Sequence, residues 1–186
     1  VTDELRYGPA LWYLNRGSGI VLLVALTLTT GLGVLSTARL STPGWPRFAT
    51  QTLHRNVAVI STGLLVAHVL AAVFDDYVPI RRVDLFLPFT CEYEPALVGL
   101  GALALDLLCI VLLSGLLRRR FPPGPWRAVH ALGYAAWGAG AAHGLGLGTD
   151  TRDGWGRATA LACVGFVGLT ALVRLTTWSR ERRPAT

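Results

Sequence analysis

A chain of 186 residues with 52% hydrophobic side chains, a mean hydropathy of +0.48 and 15% charged residues departs from soluble domains, where about a quarter of residues are charged. The net charge of +6 raises nucleic acid as a partner. However, the basic residues stand beside long apolar stretches, where they act as orientation signals and not as a phosphate-binding face, so nucleic acid is excluded. Three cysteines make no disulfide framework. Cys109 and Cys163 fall within apolar stretches and read as small packing residues, and Cys91 reads as an unpaired thiol in a polar loop.

Five apolar segments, at approximately 18–37, 52–74, 96–117, 127–148 and 157–178, are each long enough to cross about 30 Å of hydrocarbon at about 1.5 Å per residue. The acidic Asp3 and Glu4 do not suit a signal peptide, so the first segment is expected to be a retained helix. Pro43, Gly44 and Pro46 break the first connection, and Asp75, Asp76, Pro79 and Pro88 the second. Pro122, Pro123, Gly124 and Pro125 break the third, and Asp150, Asp153 and Gly154 the fourth. The fold class predicted is an all-α integral membrane protein, one five-helix transmembrane bundle over residues 1–186.

The arginines orient it. Arg39, Arg47 and Arg55 cluster at the first connection, Arg118, Arg119, Arg120 and Arg127 at the third, and Arg180, Arg182 and Arg183 in the tail. The second connection carries Asp75, Asp76, Asp84, Glu92 and Glu94 against Arg81 and Arg82. Five crossings put the three arginine clusters on one side, which the positive-inside rule makes cytoplasmic, leaving the N-terminus outside. The expected location is therefore the cell membrane. Trp12, Tyr13, Trp45, Tyr77, Trp126, Trp155 and Trp178 lie near segment ends, as an interfacial belt would.

All four histidines fall on just two segments: His54 and His68 on the second, His130 and His143 on the fourth. Alternate helices run parallel, so His54 faces His130 at the cytoplasmic level and His68 faces His143 at the outer one. The spacings of 14 and 13 residues correspond to about 21 and 20 Å of rise. Each level offers one imidazole from either side, the ligand set of a bis-histidyl haem b, and two levels hold two haems stacked between helices 2 and 4. Ionisable residues inside spans are costly and tend to be functional. With both axial positions filled, the iron is set for electron transfer and not for chemistry on a bound substrate. Fourteen residues bring His54 and His68 to one face, but thirteen leave His130 and His143 splayed by about 140° on an ideal helix. A local irregularity is expected there, with Gly138 and Gly140 as the place for it or as a close approach to a porphyrin.

The stretches LHRNVAVISTGLLVAHVLAA (53–72) and WRAVHALGYAAWGAGAAHG (126–144) resemble the paired-histidine helices of the ferric reductase-like transmembrane family. That family includes NADPH oxidases, yeast-type ferric reductases and the haem-binding membrane subunit of the periplasmic methionine sulfoxide reductase system. The resemblance covers roughly residues 18–178 and is specific mainly at the four histidines. It implies a haem scaffold with haem iron as the metal. The oxidases differ in an additional leading helix and a flavin and nicotinamide domain after the membrane part; here no GxGxxG follows a strand, and no FAD or NAD(P) site is expected.

The expected function is transmembrane electron transfer, as a subunit of an oxidoreductase, in contact with membrane lipid. The donor is a cytoplasmic flavin reductase or quinol; the acceptor, outside, is ferric iron, a flavoprotein or another redox partner. The alternatives are a quinol-oxidising cytochrome b and a non-redox haem or metal transporter or membrane scaffold. Arg55 and Arg127 are candidate propionate partners, or topology signals only, and Arg81, Arg82 and Arg152 are the outer counterparts. Arg39, Arg47 and Arg118–Arg120 either dock a donor or only orient the chain. Trp137, seven residues after His130, is a candidate aromatic spacer between the levels, and Ser61 would face it. Asp106 is expected to be neutral and hydrogen-bonded to a neighbouring helix, or else part of a proton or quinone path.

Overall fold

In the computed structural model, residues 9–37, 46–75, 78–151 and 154–181 are described, and among them there are helices and no strands. The helices are α1 (Pro9–Thr37), α2 (Arg47–Phe74), α3 (Pro95–Leu116), α4 (Pro123–His130), α5 (Leu132–Leu147) and α6 (Gly154–Glu181), with 3-10 turns at Arg82–Leu85, Arg118–Arg120 and Thr149–Thr151. By length and composition α1, α2, α3 and α6 can each cross a membrane. Expected roles for Arg39, Trp45, Asp76, Tyr77, Arg152, Asp153, Arg182 and Arg183 fall outside the described residues.

The fourth expected span is not one helix. It divides at Ala131 into α4 and the 16-residue α5, which alone rises only about 24 Å. The irregularity lies beside His130 and not at Gly138 or Gly140, through which α5 runs unbroken. The Ala131 carbonyl accepts from the Tyr134 amide at 3.1 Å, a bond three residues long. A 3-10 step turns the chain about 120° instead of about 100°. That overwinds the segment in the direction that closes the splay between His130 and His143.

Side-chain size decides which face of each helix turns inward. The interior is built from small residues, including Ala25, Ala71, Ala102, Ala104, Ala136, Ala141, Ala160, Ser18, Thr27 and Ser61. Large apolar side chains point out: Val59 is 67% exposed, Leu116 82% and Leu169 60%. In hydrocarbon, burying Leu gains little over leaving it on the surface, whereas small residues let backbones approach. The buried hydroxyls are satisfied within their own helices, Thr27 by the Leu23 carbonyl at 2.7 Å and Ser61 by that of Val57 at 2.8 Å.

The helices pair before they bundle. α1 packs along α2, α3 along α5 and α4, and α6 rests on α1. The histidines stand on three helices, His54 and His68 on α2, His130 at the end of α4 and His143 on α5, and α2 has at most marginal backbone contact with either of the other two. A gap therefore separates them, closed on one side by α1, which also reaches α5 through a 2.9 Å bond from Trp137 Nε1 to the Thr27 hydroxyl.

The segment from 78 to 94 folds over one end of the gap. Asp84, 2% exposed, accepts from the Arg81 guanidinium at 2.8 and 3.1 Å, from the Arg81 amide at 3.0 Å and from the Thr90 hydroxyl at 2.8 Å. These bonds, led by the Arg81 side chain, hold its carboxyl down from 3.8 to about 2. Cys91, expected as a loose loop thiol, is 3% exposed beneath this segment, whereas Cys109 is exposed on α3 instead of packed.

Candidate functional site: two facing histidine pairs

The gap between α2 and the α4–α5 segment is bridged by imidazoles at two levels. The His54 and His130 rings lie 6.2 Å apart between centroids, and His68 and His143 6.4 Å. Two imidazole nitrogens bound in line to one metal ion at about 2.0 Å each set their ring centroids about 6.3 Å apart. Both separations therefore suit a single metal atom between the rings, and they also fall within the range of edge-to-face aromatic pairs. The ring planes are steeply inclined, by 67° and 86°.

Three of the four rings are held from behind by backbone carbonyls. His54 Nδ1 lies 2.9 Å from the Thr29 carbonyl, His68 Nδ1 3.1 Å from that of Asn15, and His143 Nδ1 2.8 Å from that of Leu97. A carbonyl can only accept, so Nδ1 must carry the proton in each, leaving Nε2 as the basic nitrogen. A backbone acceptor behind the ring is the usual outer support of a metal-bound histidine. His130 is the exception. Its Nδ1 is buried with no hydrogen-bond partner among the described residues, and its ring stacks on Trp126 at 4.9 Å and 19°. Trp126 is itself fixed by a 3.1 Å bond from Nε1 to the Ser114 carbonyl and by the Arg118 guanidinium 4.2 Å from its ring.

A cavity of about 540 Å³ occupies the gap around His68 and His143, within the range of pockets that enclose a cofactor. Its walls include Trp137, Ala104, Gly140 and Gly144, and its end is closed by Ile80, Leu85, Tyr93 and Thr149. The walls are mainly apolar, and among the described residues Arg16 is the one guanidinium lining them, set 4.0 Å over the Trp12 ring.

The expected site residues divide sharply. The four histidines come together in the two pairs the helix order implies, and Trp137 lines the cavity while tied to α1. Ser61 faces Thr29 of α1, their hydroxyls 3.5 Å apart. Arg55 and Arg127 are exposed, Arg127 donating to the Pro123 carbonyl of its own helix at 3.1 Å. Arg81 is not free to meet a ligand, because Asp84 and the Thr90 carbonyl take its donors. Asp106 is half-exposed on α3, and the expected bond to a neighbouring helix is absent among the described residues. Sequence reasoning missed Arg16 and the ring stack of Trp126. Arg16 had a usable signal in its place one turn before Gly19, on the helix that backs His68; Trp126, read only as an interfacial residue, stands four residues before His130, one helical turn away.

A family profile described as a domain of unknown function (DUF8596) matches residues 10–150, a stretch that contains all four histidines. No curated protein and no solved structure matches the chain.

Proposed function

Since the chain belongs to the DUF8596 family, whose description names no function, we propose its function from the site itself: a di-haem b cytochrome that carries electrons across a membrane. The observation that carries the reading is the pair of imidazole gaps, 6.2 and 6.4 Å, at two levels between α2 and the α4–α5 segment. His54 with His130, and His68 with His143, would hold the two irons. The donor set is neutral nitrogen on both sides, which suits haem iron. The apolar cavity walls suit a porphyrin face, and Arg16 suits a carboxylate at its edge. In this reading α4 and α5 together make the fourth of five crossings, and the arginine clusters face the cytoplasm.

Bound haem supplies one-electron chemistry at iron. The chain's own residues do the rest. His54 with His130, and His68 with His143, would hold the group from either side, which would suit it to electron transfer and not to chemistry on a bound substrate. The carbonyls of Asn15, Thr29 and Leu97 keep three rings in one tautomer and orientation. The small residues of the wall keep water from the gap, and the 78–94 segment covers the outer end. Arg118, Arg119 and Arg120, all exposed, form a surface for an acidic electron donor beside the His130 level. The similarity to ferric reductase-like membrane domains agrees with this arrangement; the external acceptor would then be ferric iron or another redox partner.

The test is the optical spectrum and haem content of purified protein, oxidised and reduced with dithionite. Two low-spin haems b per chain are expected. His68→Ala should lose one and keep the other, and His54→Ala should lose the opposite one. Protein purified from haem-replete cells without haem, or with unchanged content in both variants, would sink the assignment; haem that is high-spin and readily exchanged would favour transport instead.

A further inference from the structure

The three carbonyls behind the histidines share a local design. In each case a glycine stands four residues after the acceptor on the same helix: Asn15 and Gly19, Thr29 and Gly33, Leu97 and Gly101. A helical side chain covers the turn N-terminal to its own Cα, where the carbonyl four residues earlier lies. Glycine uncovers that oxygen so that it can accept a second bond. The approach is close. A Cβ on Gly101 would lie 2.6 Å from His143 Nδ1, one on Gly19 3.1 Å from His68 Cε1, and one on Gly33 3.5 Å from His54 Cε1.

The spacing repeats as well. Asn15 and Thr29 are 14 residues apart, as are His68 and His54, so two antiparallel helices meet through the same junction twice. On α3, the residues 14 beyond Leu97 and Gly101 are Val111 and Gly115. This fourth junction is not engaged. Among the described residues no atom of another helix lies within 4 Å of a Cβ on Gly115, the Val111 carbonyl accepts from the Ser114 hydroxyl at 2.7 Å, and His130 Nδ1 has no hydrogen-bond partner. The residue 14 before His143 is Val129. His130 is therefore displaced by one residue, about 100° around the helix, and the step at Ala131 that brings it toward His54 leaves it stacked on Trp126 instead.

We infer that Gly19, Gly33 and Gly101 are positioning residues, each opening a backbone-carbonyl socket that fixes one histidine with Nδ1 protonated and Nε2 presented as the iron ligand, while His130 alone lacks such a socket. The inference rests on the haem reading for its consequence, but the sockets belong to the chain itself. Both can be tested on one set of purified proteins: wild type and the variants Gly101→Ala, Gly19→Ala, Gly33→Ala, Gly115→Ala and Gly31→Ala. The last is a packing control at the contact of α1 with α6, since a Cβ there meets the Phe166 ring and no histidine.

Haem retention at the His68–His143 level should fall at least tenfold in Gly101→Ala, the low end of what outer-shell changes cost a metal site. The loss should be smaller in Gly19→Ala and absent in Gly33→Ala and Gly115→Ala. Gly31→Ala should lower the melting temperature and keep both haems. In haem-free protein, nitrogen-resolved NMR should show exchange-protected Nδ1 protons on His54, His68 and His143 and none on His130, with the His143 signal lost in Gly101→Ala. Two haems and an unchanged spectrum in Gly101→Ala, or the same haem loss in Gly31→Ala, would overturn the socket inference and leave the haem reading standing. Wild-type protein that binds no haem but shows the three protected protons would overturn the haem reading and leave the sockets.

Discussion

Trp126→Ala should weaken haem at the His54–His130 level selectively. Three interactions meet in that indole: the stack on His130 at 4.9 Å, the Arg118 guanidinium at 4.2 Å and the bond to the Ser114 carbonyl at 3.1 Å. Only the first touches the proposed ligand. An offset aromatic stack contributes about 0.5–1.5 kcal/mol, and freeing a buried side chain returns up to about 1 kcal/mol of rotamer entropy. Among the described residues Nδ1 has no hydrogen-bond partner, so the stack is the contact that orients that ring. A loss of about 1.5–2.5 kcal/mol corresponds to roughly 10- to 60-fold in affinity, at about 1.4 kcal/mol per decade.

The assay is haem transfer to an excess of a competing haem-binding apoprotein, followed optically. Trp126→Ala should release one haem roughly 10- to 60-fold more readily than wild type and the other at the wild-type level. Trp126→Phe, which keeps a stacking face and loses Nε1, should fall between. Arg118→Gln, which removes only the cation over the indole, should change release less than about fivefold, since such exposed contacts contribute about 0.5–1 kcal/mol. Equal loss of both haems in Trp126→Ala would show a general packing defect, and no loss of either would refute the role given to the stack.

Charge changes give three further outcomes. Asp84 has a folded value of about 2 against an ordinary 3.8; its carboxylate therefore stabilises the 78–94 segment at all pH above 3.8, and that contribution fades as pH falls toward about 2. Hydrogen exchange of amides 81–90 should rise across that interval in wild type and be raised at every pH in Asp84→Asn. Neutralising Arg118, Arg119 and Arg120 to Gln together should slow reduction by a flavoprotein donor most at low ionic strength and little above 0.5 M salt, since about 3–4 Å is the reach of charge there; an equal effect at all salt concentrations would argue against docking. Arg16→Gln should lower the reduction potential of the haem at the His68–His143 level, because a cation at the cavity edge favours the electron-rich state, and leave the other level unmoved.

Much of the bundle was legible because its signals are long. Apolar segments of membrane length mark α1, α2, α3 and α6 without reference to neighbours, and two histidines on each of two segments imply facing pairs once those helices run parallel. The break at Ala131 was legible only as a need. A 13-residue spacing requires a correction, but neither residue 131 nor its neighbours carries a breaker stronger than Gly133, so composition pointed to the glycines at 138 and 140. Those glycines serve the wall, Gly140 lining the cavity. The carbonyl sockets were written in the sequence as glycines 14 apart, at 19 and 33 and again at 101 and 115. Their meaning depends on which helix lies opposite, and periodicity within one helix does not supply that. Asp106 fails for the same reason: its depth was readable, whereas its direction around α3 was not.

The same logic separates the two levels. At the His68–His143 level both rings rest on backbone carbonyls, and a donated Nδ1 proton makes Nε2 a stronger base, which favours ferric iron and lowers the potential. Arg16 acts there in the opposite sense. At the other level only His54 has a carbonyl behind it, and His130 depends on one side chain. Backbone acceptors survive any side-chain substitution except one that fills the glycine gap, so the two-socket level should tolerate mutation of its surroundings better than the level built on Trp126. The ligand and field contributions at the His68–His143 level can then be pulled apart by sign. Gly101→Ala, where haem is retained long enough to titrate, should raise that potential; Arg16→Gln should lower it; and the double variant should fall between them. Shifts of the same sign in both single variants would mean that one of the two residues acts through packing and not through the ring or the field.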